Sequence, residues 1–244
     1  MINFGEDLGA GANKLYGPQG GMLLQAIVSA DTSQAVDTAL LGFQNRKPPL
    51  KLRIGGMLFF VGPTAHDWGR PIENLDYERM SGVPETLAIV YGILTRYMQK
   101  HGLLSEPVHL VVGLPLEPLS GDQAQANADE TRRWLLGEHT WEADGQAYRV
   151  EVGEVKITSQ PTGAMYDFAL DQDGQYLPER KAYLSQELGI ISVGFNTLEL
   201  LTISGNSIVQ GMTAGRTLGV RRLLELVNSE NLYTLGELDG KLRA

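Results

Sequence analysis

The stretch Asp7-Leu8-Gly9-Ala10-Gly11-Ala12-Asn13-Lys14 decides the fold of this chain. It ends the strand-like run 2–8 and leads into a second short strand at 14–16, which predicts a tight glycine-rich hairpin turn. Glycines let backbone amides approach an anion closely, Asp7 could order a magnesium ion or its waters, and Lys14 adds a positive charge for phosphate. Taken alone, a turn whose glycines are purely steric explains the stretch equally well.

A second glycine turn lies far along the chain, in Ser192-Val193-Gly194-Phe195-Asn196-Thr197-Leu198-Glu199. It repeats the order of strand, glycine turn and strand, and Thr197 with nearby amides could hold the other side of a phosphate chain. Two such hairpins predict two lobes that face a cleft and clamp a ligand between them.

The segments between the two turns predict a mixed α/β chain. Two apolar runs flank Gly55-Gly56 and predict a β-hairpin. Residues 29–49 predict an irregular excursion or a small subdomain, because they lack periodicity. Helices are expected at 85–100 and 122–136, and a strand buried on both faces at 108–113.

The second half continues in the same manner. Separate strands are expected at 148–152 and 155–158, and a helix is expected to open near Gln160. A second meander follows, with strands at 188–192, 198–204 and 208–212, and a final amphipathic helix at 220–227.

Composition limits the classes of function. The chain has 244 residues, 43% apolar and 20% charged, which is typical of a globular protein. Its net charge of −9 argues against direct nucleic-acid binding, so any link to DNA would run through a partner. It has no cysteine and no apolar run long enough to span a membrane, and a cytoplasmic location is expected.

The pattern Asp-x-Gly-x-Gly-x-x-Lys at 7–14 resembles the first phosphate loop of the superfamily of actin, sugar kinases and heat-shock chaperones. Asp7-Leu8-Gly9 and Lys14 are most similar to the ParM-like plasmid-partition proteins. The run Val111–Leu116 resembles the family's central Gly-Leu-Pro strand end, and Ile157–Ala164 resembles the start of its connecting helix.

This resemblance implies an α/β, actin-like (ribonuclease H-like) two-lobed nucleotide-binding fold that is short at its C-terminus. Residues 1–160 would form the first lobe with an inserted subdomain, and 161–244 a partial second lobe. It also implies ATP and Mg²⁺ as cofactors, self-association into filaments, and a DNA-binding adaptor protein in plasmid or DNA segregation.

The resemblance also assigns site residues. Asp7 would organise the magnesium ion, and Gln160 would position the hydrolytic water. Gln160 could equally be a capping or exposed residue at a helix start. The phosphates would be held by residues of both turns: Gly9, Gly11, Asn13, Lys14, Gly194, Asn196 and Thr197.

Two departures from the family pattern leave ATP hydrolysis open. Ser192 stands where the family's second phosphate loop begins with Asp, and Glu199 where another acidic residue follows. A hydroxyl cannot replace a carboxylate's charge in ordering magnesium. The chain is also expected to lack the family's late glycine-rich adenosine loop. A degenerate actin-like scaffold that hydrolyses nothing is therefore the alternative, and a small-molecule kinase of the same superfamily ranks third.

Other motifs carry less weight. The four histidines lack zinc-site spacing. Asp171-Gln172-Asp173-Gly174 starts like a calcium loop, but Arg180 occupies the position of the required Glu, so an ordinary turn is favoured. No Ser lies in a hydrolase elbow.

Overall fold

The computed structural model describes residues 1–31, 47–74, 76–205 and 207–243. Its fourteen described strands are β1 Ile2–Leu8, β2 Ala12–Gly17, β3 Gly20–Gln25, β4 Val28–Ala30, β5 Leu50–Ile54, β6 Met57–Val61, β7 Arg70–Ile72, β8 Val108–Leu114, β9 Gly137–Ala143, β10 Gln146–Ser159, β11 Glu187–Val193, β12 Leu198–Ser204, β13 Ser207–Ile208 and β14 Ala214–Arg216. The described α-helices are α1 Pro84–His101, α2 Ala124–Leu135, α3 Gln160–Ala169, α4 Pro178–Lys181, α5 Val220–Val227 and α6 Leu235–Arg243.

Ten of these strands form one large mixed sheet in the order β3-β2-β1-β8-β10-β9-β5-β6-β4-β7. Its centre is parallel, because β1 and β10 both run parallel to β8. The outer pairs are antiparallel hairpins and meanders. The carboxyl ends of β1, β8 and β10 therefore meet at one edge, where open α/β sheets place their ligands.

Helix α1 covers the large sheet and closes its core. Phe4 on β1 packs edge to face against Tyr97 on α1, with ring centroids 4.9 Å apart and an interplanar angle of 80°. Farther along, Tyr91 stacks on Trp141 of β9 at 4.5 Å, and the Trp141 indole donates a hydrogen bond to Thr95. These aromatic contacts tie the helix to both halves of the sheet.

The remaining four described strands form a small sheet, with order β11-β12-β13 and with β14 also paired to β12. Helix α3 contacts strands of both sheets. The inner face of the small sheet packs around Leu116, Leu201 and Ile203. Its opposite face carries Ile191 and Val193, whose exposed fractions are 72% and 62%.

Most elements expected from the sequence are confirmed. The hairpin around Gly55-Gly56 forms strands β5 and β6 with the expected bounds, and both glycines adopt positive φ, 54° and 87°. The helix expected at 85–100 is α1, and the strand expected at 108–113 is β8.

Three expectations were wrong. The separate strands at 148–152 and 155–158 are one strand, β10, which carries a register shift between Val152 and Glu154. The strand expected at 208–212 ends at Ile208, and a 3-10 turn follows at 210–212. The helix at 220–227 is not the final one, since α6 follows it. The excursion expected at 29–49 lies largely outside the described residues.

Among the described helices, none combines the length and the apolar character that a membrane crossing requires.

Candidate functional site

The candidate site lies where the three central strands of the large sheet end. Asp7 pairs in register with Gly113 on β8, and Gly113 pairs with Thr158 on β10. Gln160 begins α3 immediately after β10, and the Ser159 side chain caps that helix by accepting a hydrogen bond from the Thr162 amide. Gln160 is thus held beside Asp7 by strand pairing, and the capping role belongs to Ser159.

Asp7 is the centre of a small polar network. Its Oδ2 accepts a hydrogen bond from Lys14 Nζ at 2.6 Å, and its Oδ1 accepts one from Gln160 Nε2 at 2.7 Å. Lys14 lies directly opposite Asp7 in the β1–β2 pair. The Asp7 side chain is 31% exposed, so the network faces the solvent-filled cleft and not the core.

The first glycine hairpin requires glycine because other atoms approach it closely. A Cβ at Gly9 would lie 2.5 Å from the Ala12 carbonyl oxygen on the other side of the turn. A Cβ at Gly11 would lie 2.7 Å from the Phe195 Cβ and 2.8 Å from Asp239 Oδ2. The first hairpin is therefore in van der Waals contact with the second hairpin and with helix α6.

The second hairpin is closed by its own backbone. The Gly194 amide donates to the Thr197 carbonyl at 2.8 Å. The Gly194 and Phe195 carbonyls accept from the amides of Val220 and Arg221, which start helix α5. A helix start is thereby fixed directly behind the turn.

Both hairpins line one cleft of about 1300 Å³. Of the residues predicted from the sequence, the following line it: Asp7, Gly9, Gly11, Lys14, Gln160, Gly194, Asn196 and Thr197. The structure therefore brings together residues that lie up to 190 positions apart in the sequence.

Asn13 is the exception among the predicted residues. It is not among the residues that line the cleft; its side chain is fully buried and donates a hydrogen bond to Glu6 Oε1 at 2.8 Å. The cause is the alternation of a β-strand, which turns Lys14 outward and Asn13 inward. The expected role of Asn13 in holding phosphate stays a prediction, and its buried side chain leaves only its backbone for that role.

Two charged residues near the site were missed by sequence reasoning. Glu6 is buried, and burial raises its pKa to about 7, against the lowering effect of the Asn13 hydrogen bond. Arg79 is also buried and donates to the Leu8 carbonyl at 2.7 Å. Burial lowers its pKa to about 10, while Asp7 raises it. Glu6 could have been found from the alternation of Phe4, Glu6 and Leu8, whereas no local signal marks Arg79.

The acidic group of the second hairpin lies on the strand that follows the turn. Ser192 on β11 lines the cleft, and it pairs directly with Glu199 on β12. Glu199 is 1% exposed, and burial raises its pKa, partly opposed by a hydrogen bond from the Leu116 amide. The negative charge of Asp7 raises it further.

The weaker motifs agree with ordinary structure. Asp171 Oδ1 accepts the backbone amides of Asp173 and Gln175 at 2.9 and 2.8 Å, as in a turn stabilised by an aspartate side chain. Across the described residues, no three His, Asp or Glu side chains converge as a metal-binding group.

Comparisons with known proteins identify the family of the chain. Residues 5–163 match the family model described as the N-terminal domain of actin-like proteins. No curated protein sequence matches the chain.

Solved structures share the fold. The psk41 ParM protein in its apo form superposes with a TM-score of 0.71 at 17% identity, covering 95% of this chain and 71% of that one. The AlfA filament from a B. subtilis plasmid, pLS32, gives 0.63 at 13% identity, with coverages of 96% and 80%. The archaeal actin homolog Ta0583 in complex with ADP gives 0.64 at 16% identity, with coverages of 94% and 65%.

The family model spans more than half of the chain, and the overall fold agrees with these structures. The chain therefore belongs to the actin-like proteins.

Proposed function

We propose that this chain is a nucleotide-binding, self-associating protein of the actin-like type, with ATP and Mg²⁺ as its ligands. Residues 1–160 would form its first lobe and 161–244 part of its second. The observation that carries the proposal is the cleft in which two glycine hairpins, one from each sheet, meet around the network of Asp7, Lys14 and Gln160.

The cleft has the chemistry of a phosphate site. Both hairpins line it, and glycine-rich turns can form concave groups of backbone N–H donors that bind anions. Lys14 and Arg79 add positive charge on the side of the first hairpin. Among the solved structures of similar fold, the archaeal actin homolog was determined with ADP, which supports a nucleotide as the ligand.

Asp7 fits the role of organising a magnesium ion. Mg²⁺ is commonly held by one or two carboxylates together with substrate phosphates and waters, so Asp7 with phosphates and waters is sufficient. Bound magnesium would neutralise charge on the phosphates. The hydrogen bonds from Lys14 and Gln160 fix the orientation of the Asp7 carboxylate before any ligand arrives.

Gln160 fits the role of orienting a water. Its amide nitrogen donates to Asp7, and an amide also carries a carbonyl oxygen that can accept a hydrogen bond from water. This orienting role needs no shift of pKa. We therefore propose that the nucleotide is hydrolysed and that Gln160 orients the attacking water.

We further propose that nucleotide binding controls assembly into filaments, and that the filaments act in plasmid or DNA segregation through a DNA-binding adaptor protein. Support for assembly comes from AlfA, whose solved structure is a filament. The net charge of −9 favours an adaptor over direct DNA contact.

The test is calorimetric titration of the chain with magnesium-ATP, repeated on Asp7→Ala and on the control Asp173→Ala, which lies in an exposed turn. We expect binding by the wild type and the control, and a loss of at least about tenfold in affinity for Asp7→Ala. Light scattering of the same mixtures should rise on nucleotide addition. Absence of binding by the wild type at millimolar nucleotide would refute the proposal.

The second candidate is a degenerate scaffold that binds partners without hydrolysis. Ser192 favours it, because the second hairpin presents a neutral hydroxyl to the cleft. Phosphate release distinguishes the two: binding without release would select the scaffold. Ser192→Asp would then be expected to raise the release rate.

A further inference from the structure

The chain segment after β8 crosses from the large sheet to the small sheet. Strand β8 ends at Leu114, and Leu116 follows after a single proline. The Leu116 side chain is buried, and it packs with Leu201 and Ile203 in the core of the small sheet. Leu116, which directly extends strand β8 of the large sheet, is thus part of the core of the small sheet.

Glu199 binds this crossing segment from the other side. Its Oε1 accepts a hydrogen bond from the Leu116 amide at 2.5 Å, and the residue is 1% exposed. Within the described part of the chain, its Oε2 has no hydrogen-bond partner. Burying a carboxylate with one unpartnered oxygen costs free energy, so the contact is not explained by stability alone.

Two further contacts hold the same segment. A Cβ at Gly215 on β14 would lie 3.2 Å from the Glu117 amide nitrogen and 3.4 Å from the Leu116 Cβ, so β14 packs closely against this segment. Thr217 donates a hydrogen bond to Glu117 Oε2 at 3.2 Å. We call the contact set of Leu116, Glu117, Glu199, Gly215 and Thr217 the inter-sheet joint.

The joint lies within a few residues of both hairpins. Glu199 is two positions after Thr197, on the strand that leaves the second hairpin. Leu116 is three positions after Gly113, which pairs with Asp7 at the first hairpin. A shift at the joint would therefore change the separation of the two phosphate-binding turns.

We infer that Glu199 is a positioning residue, which sets the spacing of the two hairpins across the cleft through its hydrogen bond to the Leu116 amide. The role in ligand binding rests on the proposed function, whereas the role in spacing does not. Glutamine at this position keeps a carbonyl oxygen as acceptor, and alanine removes the acceptor altogether.

The experiment measures the distance between the sheets directly. The chain has no cysteine, so spin labels can be attached at Lys100→Cys on α1 and Glu187→Cys on β11, both exposed positions. Pulsed electron paramagnetic resonance then gives the distribution of distances between the two labels in the absence of nucleotide. It is compared in four backgrounds: wild type, Glu199→Ala, Glu199→Gln, and Ile203→Ala as a control that opens a cavity in the small sheet four residues along β12.

We expect a narrow distribution in the wild type, in Glu199→Gln and in Ile203→Ala, and a broadened or displaced one in Glu199→Ala. A narrow distribution in Glu199→Ala would overturn the inference. Equal broadening in Ile203→Ala would also overturn it, since general loosening would then suffice. Broadening in Glu199→Gln would show that the charge of Glu199, and not its hydrogen bond, sets the spacing of the hairpins. This result would also contradict the inference.

A second readout tests the consequence for the ligand. Affinity for magnesium-ATP should fall about tenfold or more in Glu199→Ala and less than about threefold in Glu199→Gln and Ile203→Ala. Unchanged affinity in Glu199→Ala would refute the effect of the joint on binding. If the wild type binds no nucleotide, the proposed function fails, and the distance measurement still decides the inference.

Discussion

The two sheets of this chain differ in how their faces are covered. The large sheet has a continuous buried cluster that α1 closes, with Phe4 and Tyr97 almost fully buried. The small sheet has a compact inner core, while its other face exposes Ile191 and Val193. The difference teaches that the large sheet supplies most of the folding free energy, and that the second hairpin depends on a thinner structure held partly by the inter-sheet joint.

The largest change in the free energy of unfolding should come from a substitution in the core of the large sheet. Phe4→Ala removes a ring that is 2% exposed and packs edge to face on Tyr97. We expect a loss of about 3–5 kcal/mol in the free energy of unfolding, because both apolar burial and packing are lost. Urea unfolding followed by circular dichroism measures it. A loss below about 1 kcal/mol would show that the stability does not reside in the large sheet.

An intermediate change in the free energy of unfolding should come from the buried carboxyl group of Glu6 in the large sheet. The pKa of Glu6 is raised from 4.5 to about 7 in the folded chain, so the folded state binds more protons than the unfolded state between these values. Stability should therefore fall as pH rises from about 4.5 to 7 and then level off, by at most about 3.4 kcal/mol from this group.

Glu6→Gln isolates that contribution. The variant should lose this part of the pH dependence and be more stable than the wild type at pH 8, since glutamine stays neutral. Urea midpoints measured at several pH values provide the comparison. An unchanged pH profile in Glu6→Gln would assign the dependence to other groups.

The smallest change in the free energy of unfolding should come from a substitution on the outer face of the small sheet. Ile191→Ser should change the free energy of unfolding by no more than about 0.5 kcal/mol, because the side chain is already 72% exposed. Ile203→Ser, on the covered face of the same sheet, is the matched control and should be clearly destabilising. Equal losses would mean that the outer face is covered in solution.

Local signals in the sequence predicted much of this fold. The hairpin around Gly55-Gly56 and helix α1 follow from turn residues and helical periodicity, both of which act over short distances. Strand β10 was divided wrongly because Gly153 interrupts its pattern, although pairing with β8 and β9 keeps the strand continuous.

The site was predictable in its parts and less so in its assembly. Glycines and charges at 7–14 and 192–199 marked both hairpins, and the structure places them in one cleft. The inward turn of Asn13, the burial of Arg79 and the bond between Glu199 and Leu116 depend on contacts across 7 to 83 positions in the sequence. Residue types in a single sequence do not encode such contacts locally.

The most direct test of the central claim is amide hydrogen exchange with and without magnesium-ATP. A clamp built from two hairpins predicts that residues 8–14 and 193–198 are both protected by nucleotide, since in the proposed site each would contribute backbone amides to the phosphates. Strand β9, none of whose residues lines the described cleft, should be unchanged and serves as the internal control. Protection of only one hairpin, or of neither, would contradict the account.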